Sequence, residues 1–182
     1  MKNRHSTGIQ LHRALCLAVT LASLIGCHTR TAVNLPDSQR RDQIATMIAD
    51  YQRLFPDISG IGANELQQSL ERGEITLVDV RPEAERAVSM IPGAISKQEF
   101  EQRAEELSGS EVVTYCTIGY RSGAYAQQLM ADGWAVRNFD GSLLAWTHAG
   151  GELIDSKGEP TRRLHVYGRQ WALAADGYEA VW

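Results

Sequence analysis

Three short β-rich runs, over 75–80, 111–115 and 135–139, are separated by stretches whose apolar residues recur every three or four positions. This alternation restricts the fold more than any other feature. A strand that must pass through a helix before the next strand begins cannot close a hairpin, so the strands lie side by side and parallel, covered by helices on both faces. Ile44, Met47, Ile48, Tyr51, Leu54 and Phe55 fall on one helical face, and Pro56 ends that helix, predicted over 41–55. A short helix is predicted over 65–72, stopped by Gly73. Another spans 97–107, with Phe100, Ala104 and Leu107 on one side. A third spans 122–130, with Ala126, Leu129 and Met130 inward and Gly133 as its stop. The expected fold class is α/β, with a mostly parallel central sheet.

In such sheets chemistry gathers at the carboxyl ends of the strands. Two strand ends carry reactive or charged side chains: one runs into Asp79-Val80-Arg81, the other into Cys116-Thr117-Ile118-Gly119-Tyr120-Arg121-Ser122. The second is a strand, a tight glycine-containing loop and a helix start. Successive amide N–H groups in such a loop form an anion-binding concavity, and the unpaired donors of the helix start add to it. Arg121 adds a positive charge. These groups favour the thiolate over the thiol, so the Cys116 pKa is expected to be depressed, and they would stabilise negative charge on a sulfur bound there. The competing reading is a buried structural cysteine at a strand end.

The N-terminus has its own pattern. Lys2, Arg4 and Arg13 precede an apolar run over 14–26, the layout of an export signal. Cutting after Gly26 places Leu24 at −3, too large for a conventional cleavage site, but Leu24-Ile25-Gly26-Cys27 resembles the bacterial lipobox. That resemblance implies cleavage before Cys27 and a lipid on its sulfur; the alternative is an uncleaved anchor or a cut elsewhere. Of Cys16, Cys27 and Cys116, the first leaves with the signal and the second carries lipid, so Cys116 is the one free thiol expected in the mature chain. The expected location is the cell envelope, lipid-anchored on the periplasmic side of the inner or outer membrane. His28 follows Cys27 where an Asp commonly retains lipoproteins on the inner membrane.

The rest of the composition excludes more than it suggests. A net charge of −4 gives no electrostatic reason to expect nucleic acid as a partner. No segment reaches the roughly 18 consecutive apolar residues of an ordinary spanning helix. One free cysteine and the scattered His148 and His165 lack metal-ligand spacing, and no cofactor is implied.

Tyr115-Cys116-Thr117-Ile118-Gly119-Tyr120-Arg121-Ser122-Gly123 resembles the active-site loop of single-domain rhodaneses. Leu129, Gly133-Trp134, Val136, Asp140-Gly141 and Ala145-Trp146 downstream are similar to the family's pattern, as are Leu77-Val78-Asp79-Val80-Arg81 and Ile91-Pro92-Gly93-Ala94 upstream. The motifs cover roughly 60–151. The resemblance implies the three-layer rhodanese-like fold and a sulfurtransferase in which Cys116 takes the outer sulfur of a donor such as thiosulfate and passes it, as a persulfide, to a thiol or to cyanide. Thr117, Ile118, Gly119, Tyr120, Arg121 and Ser122 form the expected substrate-binding loop, with Asp79 and Arg81 as a possible border of the pocket. Two departures stand out: Ser89-Met90 replace the family's Gly-His before Ile91, and Ser142 replaces a second glycine after Gly141.

Two rival readings share parts of this pattern. Cysteine phosphatases and arsenate reductases place five residues between cysteine and arginine, whereas four separate Cys116 from Arg121 here, a smaller cradle that suits one sulfur. A non-enzymatic binding or persulfide-carrier module serving a protein partner keeps the same fold, although retention of Cys116 argues against a wholly inactive one. Bland readings hold elsewhere: Asp79 as a structural acceptor, Arg81 and Glu85 as a helical ion pair, and Arg121 either positioning an anionic donor or facing solvent.

The expected division is a signal over 1–26, a flexible tether over 27–40, an N-terminal helix within 41–59, the rhodanese-like domain over 60–151 and a C-terminal extension over 152–182 packing on it. In the extension, Tyr167, Trp171, Tyr178 and Trp182 have helix-like spacing interrupted by Gly177. They form either an apolar flap docked on the domain or an aromatic surface for a partner or the donor.

Overall fold

The computed structural model describes residues 35–182. The expected signal, the lipobox with Cys27 and most of the tether lie outside the described residues. The tether is shorter than its expected end at 40: Leu35 is already packed in the core, and helix α1 (Asp37–Leu54) begins two residues later. The elements that follow are β1 (Gly60–Ile61), α2 (Ala63–Arg72), β2 (Ile75–Asp79), α3 (Glu83–Arg86), β3 (Ile95–Ser96), α4 (Lys97–Gln102), β4 (Glu111–Tyr115), α5 (Tyr120–Ala131), β5 (Val136–Phe139), α6 (Ser142–His148), β6 (Leu153–Ile154), β7 (Pro160–Thr161), β8 (Arg163–His165) and β9 (Glu179–Val181). Among the described residues no helix is long and apolar enough to cross a membrane.

β1 to β5 form one sheet in the order β1-β5-β4-β2-β3, and every pairing in it is parallel. The α/β class is therefore as expected. β4 lies in the centre, with Val112 to Tyr115 all buried. Its side chains alternate: Val113 and Tyr115 join Leu77 in one core, while Val112 joins Val78 in the other. The first core is closed by Ile44 of α1, Leu66 of α2 and Leu143 of α6; the second by Phe100 of α4 and by Tyr125 and Leu129 of α5. From β2 the chain runs outward to β3; from β4 it runs the other way to β5. The crevice between such diverging connections opens at the carboxyl ends of β2 and β4.

The C-terminal segment is part of the first core. Leu164, Val166 and Leu173 are fully buried. β6 and β7 form an antiparallel hairpin, and β8 pairs in parallel with β9. Met90 anchors the hairpin through two backbone hydrogen bonds with Ile154, at 2.8 and 3.0 Å. This position departs from the family pattern, and what holds the extension there is backbone, not the side chain. The helix-like aromatic stripe is not a helix. Between β8 and β9 the regular structure is a single 3-10 turn at Arg169–Trp171. The residues that dock are the alternating Leu164 and Val166, a strand pattern, whereas Tyr167 and Trp182 stay exposed. His148 joins three segments: Nε2 lies 2.8 Å from the Leu173 carbonyl and Nδ1 3.3 Å from the Asp37 carboxylate.

Other differences have local causes. α4 stops at Gln102, and Arg103 leaves the helix to pair with Glu99 and Glu106. β1, β3 and α3 are too short to show a period. The expected Arg81–Glu85 pair does not form. Arg81 precedes α3 and turns back onto Asp79, with Nε–Oδ1 at 3.0 Å and Nη2–Oδ2 at 2.7 Å, and it donates to the Ser89 carbonyl at 2.6 Å. Both side chains are wholly buried. Removing one partner of such a pair strands the other charge in the core, at a cost of about 3–5 kcal/mol, whereas an apolar replacement of both is far milder. Asp79→Ala is therefore expected to lower the unfolding free energy in urea by about 3–5 kcal/mol, and Asp79→Leu combined with Arg81→Met to recover much of that loss.

Candidate active site

The loop between β4 and α5 is shaped by one backbone angle. Gly119 sits at φ +120°, a conformation that side chains rarely adopt, and this turns its N–H back toward the Cys116 sulfur at 3.2 Å. Its carbonyl is fixed by Asn138 Nδ2 of β5 at 3.0 Å. Helix α5 starts at once, which brings the amide of Ser122 to the same sulfur and its hydroxyl to 3.6 Å. Thr114 of β4 donates to the Ser122 carbonyl at 3.0 Å, locking the helix start to the strand end.

Cys116 is 1% exposed. Burial pushes its thiol up. The amide and hydroxyl of Ser122, the amide of Gly119 and the nearby Arg121 charge together outweigh that effect and hold the pKa below its ordinary value. The depression expected from the loop is present.

The backbone N–H of Cys116 donates to Ser142 Oγ at 3.1 Å, and that hydroxyl donates to the Phe139 carbonyl at 3.1 Å. Ser142 is the one described non-glycine residue at positive φ, 48°. The residue that replaces the family's second glycine thus adopts a conformation suited to glycine, and its hydroxyl gives the cysteine amide a buried acceptor.

Arg121 is half-buried, and its guanidinium is paired instead of free in solvent. Its Nη1 and Nη2 meet Glu85 Oε1 and Oε2 at 2.7 and 2.8 Å, and Nη2 lies 3.1 Å from Thr117 Oγ1. Burial alone would raise the Glu85 carboxyl; the guanidinium more than offsets this and holds it below its usual range. α3 thereby holds the cation of the cysteine loop.

A cavity of about 440 Å³ opens above the sulfur. Cys116, Thr117 and Ile118 line its floor, and Tyr51 of α1, Tyr120, Tyr167 and Trp171 line its wall. Tyr51 packs against Tyr120 with ring centroids 5.6 Å apart. Burial first, and the Cys116 thiolate second, raise the Tyr51 pKa, so its hydroxyl stays protonated. Phe55 holds this end of α1 down: a Cβ on Gly123 would come within 2.5 Å of the Phe55 ring. Gly119 and Ser122 support the sulfur from beneath. Asp79 and Arg81, expected as a possible border, do not line the cavity. They lie in the core beside Tyr115, whose register partner is Asp79 and whose hydroxyl accepts from the Ile91 amide at 3.2 Å.

Sequence reasoning missed Glu85, Asn138, Ser142 and Tyr51 as site residues. Ser142 was visible as a departure from the glycine pattern. Tyr167 and Trp171 were visible as aromatics without an assigned surface. Glu85 and Asn138 carry no local signal, because each reaches the loop from a separate element.

The family model described as rhodanese-like domain matches residues 62–149. A sulfurtransferase of Allochromatium vinosum is 32% identical over 106 residues, which span 56% of this chain and 99% of that protein. An HTH-type transcriptional regulator of Mycobacterium tuberculosis is 41% identical over 91 residues, 47% of this chain but 40% of the regulator. A crystal structure of thiosulfate sulfurtransferase from Pseudomonas aeruginosa superposes with a TM-score of 0.52 at 25% identity, covering 66% of this chain and 24% of that one. The chain therefore spans less than half of the regulator and of the crystallised enzyme, but almost the whole of the Allochromatium protein. A relative matched from end to end, and a family match that encloses the strand, the cysteine loop and the helix behind it, place this chain in the rhodanese-like domain family.

Proposed function

We propose that the protein is a sulfurtransferase that carries a sulfane sulfur on Cys116. The observation behind this reading is a buried thiol met by the Gly119 and Ser122 donors at the floor of an open cavity. The Cys116 thiolate attacks the outer sulfur of a donor such as thiosulfate. A bond forms between the two sulfurs, the donor's own sulfur–sulfur bond breaks, and sulfite leaves with the electron pair. The terminal sulfur of the persulfide carries the negative charge, stabilised by the amides of the loop over 117–122. An acceptor thiolate, or cyanide in an assay, then attacks that sulfur and leaves with it, as a persulfide or as thiocyanate, returning Cys116 as thiolate. Two covalent half-reactions through one site imply ping-pong kinetics. Tyr120 and Arg121 border the path of the donor, and Thr117 holds the guanidinium.

The likeness to a segment of a transcriptional regulator favours one second reading, a persulfide carrier that serves a protein partner. The two readings differ in turnover. The enzyme passes sulfur to cyanide many times per site, the carrier once. The N-terminal pattern completes the proposal: the domain is held in the cell envelope by a lipid on Cys27.

Three outcomes are expected. Intact mass after thiosulfate should rise by one sulfur atom, with continued thiocyanate formation once cyanide is added, and Cys116→Ser should abolish both. A folded wild-type protein with neither response removes thiosulfate as donor. The second outcome concerns pH. Iodoacetamide reacts with the thiolate, so its rate should rise with pH through the depressed Cys116 pKa, below the ordinary thiol value of about 8.5. Ser122→Ala removes a donor that favours the charged form, so the rising limb should move to higher pH; an unmoved limb would show that the hydroxyl contributes nothing. Finally, the membrane fraction should contain a chain beginning at Cys27 with diacylglyceryl mass, and an unmodified soluble chain would remove the lipid anchor.

A further inference from the structure

The cavity above Cys116 has a volume of about 440 Å³, within the range of about 300–1,000 Å³ of small-molecule sites. Its wall is aromatic. Tyr120 is 51% exposed and Tyr167 74% exposed, so both rings keep most of their surface in the open instead of in the core. Three of the four wall residues, Tyr51, Tyr167 and Trp171, lie outside the 62–149 that match the family. Separate devices hold Tyr51 and Trp171 in place: Phe55 packs α1 over Gly123, and Leu173, fully buried, anchors the 3-10 turn that carries Trp171.

The charge at the mouth is equally specific. Arg121 is the one cation among the lining residues, and both of its terminal nitrogens are taken by the Glu85 carboxylate. A compact inorganic dianion meets the floor donors and a guanidinium already paired with Glu85, and gains nothing from the four rings. A molecule with one sulfur to insert and an uncharged apolar body finds donors at the floor and contact surface along the wall. Binding energy from that non-reacting body is available to position the sulfur.

We infer that the sulfur substrate of this site is organic: an aromatic or branched aliphatic thiol, or the sulfane-sulfur derivative of such a thiol, whose body lies against Tyr51, Tyr120, Tyr167 and Trp171. This inference rests on the sulfur-transfer reading and names its substrate class. The half-reaction with an organic thiosulfonate balances. The Cys116 thiolate bonds to the terminal sulfur, the bond from that sulfur to the sulfonyl group breaks, and the sulfinate leaves with the electron pair.

The test compares benzenethiosulfonate with methanethiosulfonate, which share the reacting head and differ in the body. Rates of sulfur loading on Cys116 are normalised to the reaction of each donor with free cysteine, and thiosulfate is run as a third donor. The wild-type protein is expected to favour the phenyl donor in kcat/KM by about tenfold or more. In Tyr167→Ala that preference is expected to shrink by roughly threefold to tenfold, the worth of one aromatic contact; Tyr167 is exposed, so its truncation leaves the core intact. A preference near one, or one that Tyr167→Ala leaves unmoved, overturns the inference while loading by thiosulfate keeps the sulfur-transfer reading. Absence of loading from all three donors removes that reading, and this inference with it.

Discussion

A negative charge on a buried sulfur is tolerable only where hydrogen-bond donors replace the water it has lost. At Cys116 those donors are the amides of Gly119 and Ser122 and the Ser122 hydroxyl. Much of the surrounding architecture keeps them aimed. β4 delivers the sulfur, the φ of Gly119 turns the chain beneath it, and α5 starts in time to present its first amides. Asn138 and Thr114 fix the loop from the neighbouring strand and from the strand itself. Ser142 meets the cysteine's own amide from the start of α6, so four successive elements, β4, α5, β5 and α6, share the restraint of the cysteine and its loop.

The segments beyond the family match do different work. The domain over 62–149 contributes the sulfur, its donors and the Glu85–Arg121 pair. α1 and the C-terminal segment supply Tyr51, Tyr167 and Trp171, the larger part of the wall around it. The cysteine loop and most of the cavity wall are thus encoded in separate stretches of chain, brought together by the shared core that holds Ile44, Leu143, Leu164 and Leu173.

Much of this was legible in the sequence. β2 and β4 appear as branched apolar runs because the centre of a parallel sheet is buried on both faces, and the predicted bounds of β4 match. The loop was legible because strand, cysteine, glycine and helix are contiguous. What was not legible depends on distance along the chain. Glu85 and Arg121 are 36 positions apart, and nothing local indicates that they meet. The pairing of Arg81 with Asp79 instead of Glu85 follows from Arg81 lying ahead of α3, where helical spacing does not apply. The C-terminal aromatics suggested a helix because a spacing of four and seven also arises by chance in four residues. Leu164 and Val166, two apart and both buried, carried the strand signal.

The burial of Leu164, Val166 and Leu173 beside Leu77 and Val113 also sets an order of events in synthesis. As the chain emerges from the ribosome, the five strands of the sheet are complete by Phe139 and α1 and α2 already cover part of the first core, yet the places of Leu164, Val166 and Leu173 stay unfilled until the segment over 163–173 follows. Until then the nascent domain exposes part of that apolar core. Emergence of that segment is therefore the step that completes this core, and a chain cut before Leu164 would be a sticky intermediate in place of a slightly shortened domain.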